Sequence, residues 1–345
     1  MKRIPAAAAE AASALALVET LQKRFASALE QVARGFGLFD AFVPVEWLRD
    51  EGRHGGGVRH VVADTPVYGR ASINVSQVHY DDEPERALSS ATALSAIVHP
   101  QNPHAPSMHM HISWTQLRDR PGVWRIMADL NPAIPEAADT EAFQGMLEAA
   151  APELHTEAFA QGDRYFHIPA LERHRGVCHF YLEGHRSEDA DADAALARRV
   201  GESTIDQYAQ IVRAALESHP QPDDAARQAQ LAYHTVYLFQ VLTLDRGTTS
   251  GLLVHDQNDV GILGSLPAEV DRDQLARWGA TLGPVDKALV DAIVGALPDQ
   301  TPSPVTTPAK RALARVVRAH YQAHPEALSR QASGGINPQT VDNHR

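Results

Sequence analysis

Five short segments between residues 58 and 130 decide the architecture. Residues 58–63 (VRHVVA), 67–79 (VYGRASINVSQVH), 93–99 (ALSAIVH), 107–117 (SMHMHISWTQL) and 123–130 (VWRIMADL) are rich in β-branched side chains or alternate polar with apolar. Both habits are those of strands. The connections between them are short, and consecutive strands so joined pair mainly antiparallel. Asp64-Thr65-Pro66 reads as the turn of a hairpin between the first two. A further strand is expected at 176–183, another at 236–244 and a short one at 250–254, the last two separated by a turn at Asp245-Arg246-Gly247.

Helical periodicity lies on either side. Leu15, Leu17, Val18, Leu21, Phe25, Leu29 and Val32 recur at helical spacing within Ala6–Ala33, and Gly35 and Gly37 stop that helix. Helices are expected at 138–160, 189–218, 223–234, 271–282, 286–296 and 307–323. The expected class is therefore α+β: one domain over residues 1–328, with a large antiparallel sheet covered on both faces by helices. Residues 329–345 are polar and are expected to form a disordered tail.

Bulk properties narrow the function. The chain has 345 residues, 44% of them hydrophobic, which is enough for a real core. A formal net charge of -12 argues against general binding to a nucleic-acid backbone but leaves room for a local basic pocket. The single cysteine, Cys178, rules out an internal disulfide, fits a cytoplasmic location and is expected to be a small buried residue. The alanine-rich start resembles a leader, but Glu10 and Glu19 interrupt it. No apolar stretch approaches the roughly 18 residues of a membrane span. Gly55-Gly56-Gly57 lacks the Gly-Lys-Ser/Thr of a phosphate loop and reads as a φ-positive turn.

Six motifs, in order, resemble the aerobic coproporphyrinogen III oxidases. They are the stretch 95–109 (SAIVHPQNPHAPSMH); Asp129-Leu130 with Pro132; Asp163, Tyr165 and Phe166; Arg175-Gly176; Asp245-Arg246-Gly247-Thr248 with Gly251-Leu252; and Ser265-Leu266-Pro267. Trp47, Gly55-Gly56-Gly57, Asn74 and Ser76 also align, so the resemblance spans about residues 45–270. It implies a homodimer that converts two propionates of a porphyrinogen to vinyl groups. O2 would be consumed, CO2 and hydrogen peroxide released, and no organic cofactor needed.

The resemblance also implies a site. Asp129 matches a central carboxylate that accepts pyrrole N–H bonds or acts as a base; the alternative is a strand-end Asp that caps the Asn131-Pro132 turn. Arg175 matches an arginine able to clamp a propionate. Asp245, Arg246 and His109 complete the expected catalytic set, although an Asp-Arg pair at a turn is also a common structural feature. Asn74, Ser76, His99, Asn102, His104 and Ser113 are the expected substrate-binding residues, with the prolines of the 99–104 loop fixing its shape.

His109, His111 and Ser113 alternate along one strand and so share a face. With His179 and Asp129 they suggest three imidazoles and a carboxylate, a set that suits iron, manganese or copper. The other reading is a wet pocket lined by satisfied polar groups. His167, His174 and His185 lie near by in sequence.

Departures from the family pattern keep a second reading alive. Ser113 and Val236 stand where the family has arginines, Phe239 and Val241 replace a Glu and an Asn, and Ile126, Met127 and Ala128 replace glycines. Fewer cations and a narrower cleft would suit a metal-dependent oxygenase or oxidative decarboxylase acting on a smaller substrate. A non-catalytic tetrapyrrole-binding protein is the third reading.

Overall fold

The computed structural model describes residues 2–334. Seven strands form one sheet in the spatial order β1-β2-β3-β4-β5-β6-β9, with antiparallel neighbours throughout. They are β1 (Val43–Leu48), β2 (Gly55–Ala63), β3 (Tyr68–His79), β4 (Leu88–Pro100), β5 (Ser107–Leu117), β6 (Val123–Asn131) and, after the small hairpin of β7 (His167–Ile168) and β8 (Arg173–His174), β9 (Cys178–His185). The helices are α1 (Ala9–Gly35), α2 (Ala137–Ala150), α3 (His155–Phe166), α4 (Ala190–Ser218), α5 (Asp224–Thr243), α6 (Arg246–Val254), α7 (Asp259–Ile262), α8 (Arg272–Gly279), α9 (Pro284–Ala296) and α10 (Thr307–Ala323). Among the described residues no helix is long and apolar enough to cross a membrane.

Strand alternation divides the side chains into two layers. Met108, Met110 and Ile112 of β5, with Ile126, Ala128 and Leu130 of β6, point into a core closed by α1, α2 and α4. The α1 stripe of Leu17, Val18, Leu21, Phe25, Leu29 and Val32 lies against it, as its spacing requires. The opposite face carries the polar residues and meets α5, α6 and the Leu263–Ser265 turn; behind these, α8, α9 and α10 close a second core. The expected α+β class, with helices on both faces, is the one observed.

α3 runs along the β9 edge, close enough that a Cβ on Gly162 would sit 2.3 Å from the His179 carbonyl oxygen. There the Gln161 side chain accepts the Glu183 backbone N–H at 2.9 Å, so the edge strand keeps no open donor at that point.

Several expectations are corrected. Residues 236–244 are not a strand: they continue the helix begun at Asp224, and 250–254 belong to α6. Every residue from Tyr233 to Leu242 is buried, and an apolar run buried all round carries no amphipathic period to mark it as helical. Asp245 therefore does not open a turn but caps α6, accepting the Thr248 N–H at 2.6 Å.

The helix expected at 138–160 breaks into α2 and α3 around Pro152, which lacks the N–H that would continue it. Gly55-Gly56-Gly57 begin β2 instead of forming a turn. Cβ atoms there would meet the carbonyl oxygens of Gln77, Trp47 and Val75 at 2.1–2.3 Å, and Gly55 and Gly56 hold φ of +90° and +145°. β1 escaped the sequence reading.

Residues 329–334, expected in a disordered tail, pack down. The Gln331 amide bonds Thr249 Oγ1 at 2.6 Å, and the Gly334 N–H bonds Glu183 at 3.1 Å. The rest of that expected tail, 335–345, lies outside the described residues.

Candidate active site

The strand registers line up the polar face in rows. One row runs Val45, Arg59, Asn74, Ser95, His111, Met127, Tyr181 across β1, β2, β3, β4, β5, β6 and β9. A second places Ser76, Ala93, Ser113 and Arg125 side by side, and a third Ile97, His109, Asp129 and His179. The first row from Arg59 to Met127, the second row, and Ile97 and His109 of the third floor a cleft of ≈ 330 Å³, roofed by Tyr237 and Val241 of α5, Asp245 and Thr248 at the start of α6, and Ile262 of α7. That volume lies in the lower part of the range usual for small-molecule sites. Trp47 packs over Gly57 at the rim, its indole N–H reaching Asn74 Oδ1 at 3.3 Å.

Asp129 is fully buried and lies behind the cleft wall rather than in it. Its Oδ1 pairs with His109 Nδ1 at 2.9 Å; its Oδ2 accepts from Arg175 at 2.8 Å and from Asn131 at 2.6 Å. Burial opposes its charge, but Arg175 and His109 outweigh that and hold the carboxyl well below the usual range. Both oxygens are thus occupied. Asp129 orients two groups that do face the cleft, His109 and Arg175, and is a positioning residue.

Arg175 is 2% exposed. Gln240 Oε1 accepts a second bond from it at 2.7 Å, and its guanidinium lies between the rings of Phe166 (4.5 Å) and Tyr237 (4.9 Å). Gly176, at φ +84°, gives the chain the turn it needs where a Cβ would strike Asn131 Oδ1 at 2.4 Å.

Asp245 is the carboxylate that faces the cleft. Besides capping α6 it accepts the Tyr165 hydroxyl at 2.9 Å. Burial pushes its pKa up, but the bonds from Thr248 and Tyr165 bring it below the usual range, so it stands ionised. His111 faces Asp245's side of the cleft; burial, with Arg125 and His109 near by, pushes its imidazole down to about 3 and keeps it neutral. Arg125 lines the same wall, opposite Ser113, with Glu183 3.9 Å away.

The structure brings Asn74, Ser76, Ser113, His109, His111, Arg175 and Asp245 together in the cleft. Arg246 is elsewhere: it is buried and ion-paired with Glu183. His99 is a strut between β4 and the Ser265 carbonyl (3.0 Å), with its other nitrogen on Ser107. Asn102 bonds the His219 carbonyl at 2.6 Å, and His104 stacks on His219 with centroids 3.9 Å apart, so this loop ties down the end of α4.

His179 shares the row of Asp129 but turns to α3. Its Nδ1 meets Asp163 at 2.8 Å and its Nε2 the Arg175 carbonyl at 2.8 Å. With those nitrogens and both Asp129 oxygens engaged, His109, His111, His179 and Asp129 do not converge as one ligand set. His167 and His174 face each other across their hairpin, and His185 bonds Asp193.

Among the described residues, the grouping spaced to hold an ion is His54, Asp82 and Glu83. Its acids are already paired with Arg53 and Arg86, and His54 also bonds Asp50. Cys178 is buried, and burial pushes its thiol up to about 12, as expected for an inert residue.

The sequence reading missed Arg59 and Arg125. A charged residue inside a strand that is otherwise apolar or small is the signal that marks such positions, because buried charges need a reason.

The chain matches the sequence profile of the coproporphyrinogen III oxidases over residues 13–279. It is 27% identical over 303 residues to the oxygen-dependent coproporphyrinogen-III oxidase of Prochlorococcus marinus (strain AS9601), an alignment covering 76% of this chain and 83% of that one. The matched segment takes in the whole sheet and every element that walls the cleft, through α7 and the Leu263–Ser265 turn, and on that extent the chain belongs to the coproporphyrinogen III oxidase family.

Proposed function

We propose that the cleft carries out O2-dependent oxidative decarboxylation of coproporphyrinogen III, turning propionate side chains into vinyl groups. For each propionate, the methylene carbon bonded to the pyrrole ring loses a hydride equivalent and the far carbon loses its carboxyl as CO2, leaving the vinyl double bond between them. The two electrons and two protons released reduce O2 to hydrogen peroxide, so no further reductant or oxidant enters. The family match supports the reaction. The observation that carries it in this chain is an ionised carboxylate, Asp245, sharing one cleft with the guanidinium groups of Arg125 and Arg175 over a polar floor.

Asp245 is placed to accept pyrrole N–H bonds of an electron-rich macrocycle, and the neutral His111 can accept another. Arg175, held by Asp129 and Gln240, and Arg125 supply positive charge for propionates. His109, oriented by Asp129, lies 3.4 Å from the Arg175 guanidinium. Arg246, His99, Asn102 and His104 support the scaffold in this reading. Iron, manganese or copper would need the His109, His111, His179 and Asp129 set, which does not fit an ion, so no step passes through a metal. The family relationship supports a homodimer working in the cytoplasm, checked by sedimentation of the purified chain.

The test is an anaerobic solution of enzyme and coproporphyrinogen III opened to O2. Vinyl product with matching CO2 and peroxide supports the reading. Binding without product, or no binding, sinks it.

A further inference from the structure

Arg59 is a charge without a partner. It projects from β2 into the cleft, is 8% exposed, and its guanidinium has no hydrogen bond or ion pair among the described residues. Burial alone acts on it, lowering its pKa, with no carboxylate compensating. An arginine stays protonated even so, and an uncompensated buried cation destabilises a fold.

It does not stand alone. Lys310 of α10 is 4% exposed and likewise has no hydrogen-bond or ion-pair partner among the described residues. Burial, then Arg70 and Arg59, push its ammonium down to about 7. Arg311 and Arg315 of the same helix join Arg59 around a recess that opens off the cleft beside Asn258 and Gly261. Asp259, the acid among the described residues that line that recess, is already taken by Arg318. A concave, connected group of cations with its own acid engaged is built to receive an anion.

The position indicates which anion. Arg59 lies on β2 and Arg125 on β6, four strand steps apart, or about 19 Å along the sheet floor. We propose that Arg59, backed by Lys310, binds a carboxylate arm of the substrate at the end of the cleft opposite Arg125, so that one macrocycle is held by its edges at both ends. The proposal rests on the coproporphyrinogen reading above. It makes part of the substrate site out of α10, which lies beyond the family-matched residues.

Steady-state kinetics with coproporphyrinogen III tests it on wild type, Arg59→Gln, Arg59→Lys and Lys310→Met. Losing a charge-assisted bond should raise KM roughly tenfold to a hundredfold in Arg59→Gln while kcat changes little. Arg59→Lys should recover part of that, and Lys310→Met should show a smaller rise. An unchanged KM in Arg59→Gln, with wild type active, overturns the subsite and leaves the reaction standing.

If the wild-type chain converts nothing, the functional reading falls. Fluorescence titration with coproporphyrin III then decides the subsite: a Kd weakened in Arg59→Gln sustains it, and an equal Kd overturns it. The same titration replaces kinetics for any variant too unstable to assay, using Arg59→Lys.

Discussion

At the scale of single residues, the decisive contact is the buried pair of Asp129 and Arg175, 2.8 Å apart and both essentially out of water. Such a pair need not stabilise the fold more than apolar residues would, but breaking it leaves a bare charge inside. Asp129→Asn should therefore cost about 3–5 kcal/mol in denaturant unfolding. It should also lower kcat for coproporphyrinogen at least about tenfold, because His109 and Arg175 lose the group that aims them. A variant of wild-type stability would show that Arg175 finds another partner. The acid dependence has a definite sign. Asp129's folded pKa is depressed, so its stabilising contribution is complete above its unfolded pKa near 4 and is lost as pH falls through the folded value. Above about pH 5 this pair should leave stability flat.

At the scale of elements, α6 shows how one residue serves both fold and site. Asp245 caps the helix through the Thr248 N–H and, from the same place, presents its carboxylate to the cleft. The two tasks separate by substitution. Asp245→Asn keeps a capping oxygen and loses the charge, so stability should stay within about 0.5 kcal/mol while kcat/KM falls by roughly a hundredfold. Asp245→Ala should lose the same activity and a further ~1–2 kcal/mol of stability. Equal activity in Asp245→Asn and wild type would reduce Asp245 to a cap.

This element also marks the limit of what the chain's letters disclosed. The strands from 58 to 130 were readable because one face is core and the other is cleft, so polarity alternates, and the His109–His111–Ser113 face followed directly. α5 was not readable beyond residue 234, because burial on all sides erases the helical period. Asp129 was legible as important but not as hidden. Asn131 is two residues away on the same strand, but saturation by His109 and Arg175 depends on pairing with β5 and on the β8–β9 connection, contacts 20 and 46 residues apart in sequence. Arg246 shows the same limit, since only the fold reveals Glu183 beneath it.

At the scale of the whole molecule, the sheet's two layers meet different demands, and the C-terminal helices join them. α10 closes the second core with Leu313, Ala314 and Val317, and its first turns bring Lys310 towards the β2–β3 side of the sheet. Lys310 is charged in the unfolded chain up to its ordinary pKa near 10.5, but in the folded protein burial, Arg70 and Arg59 bring it down to about 7, against a weaker pull from Asp64. Between those values the unfolded chain holds more protons, so this group makes the protein more stable as pH rises. Other groups titrate in the same range, which makes the informative quantity the difference between wild type and Lys310→Met. That difference should move in favour of wild type by about 2–3 kcal/mol as pH goes from about 7 to about 9. Occupation of the recess by a dicarboxylate such as glutarate should hold Lys310 protonated and flatten the trend. Unfolding curves for the two proteins across that pH range provide the check, and a difference that stays level without glutarate would mean that burial and the neighbouring Arg70 and Arg59 do not lower Lys310 in the folded protein.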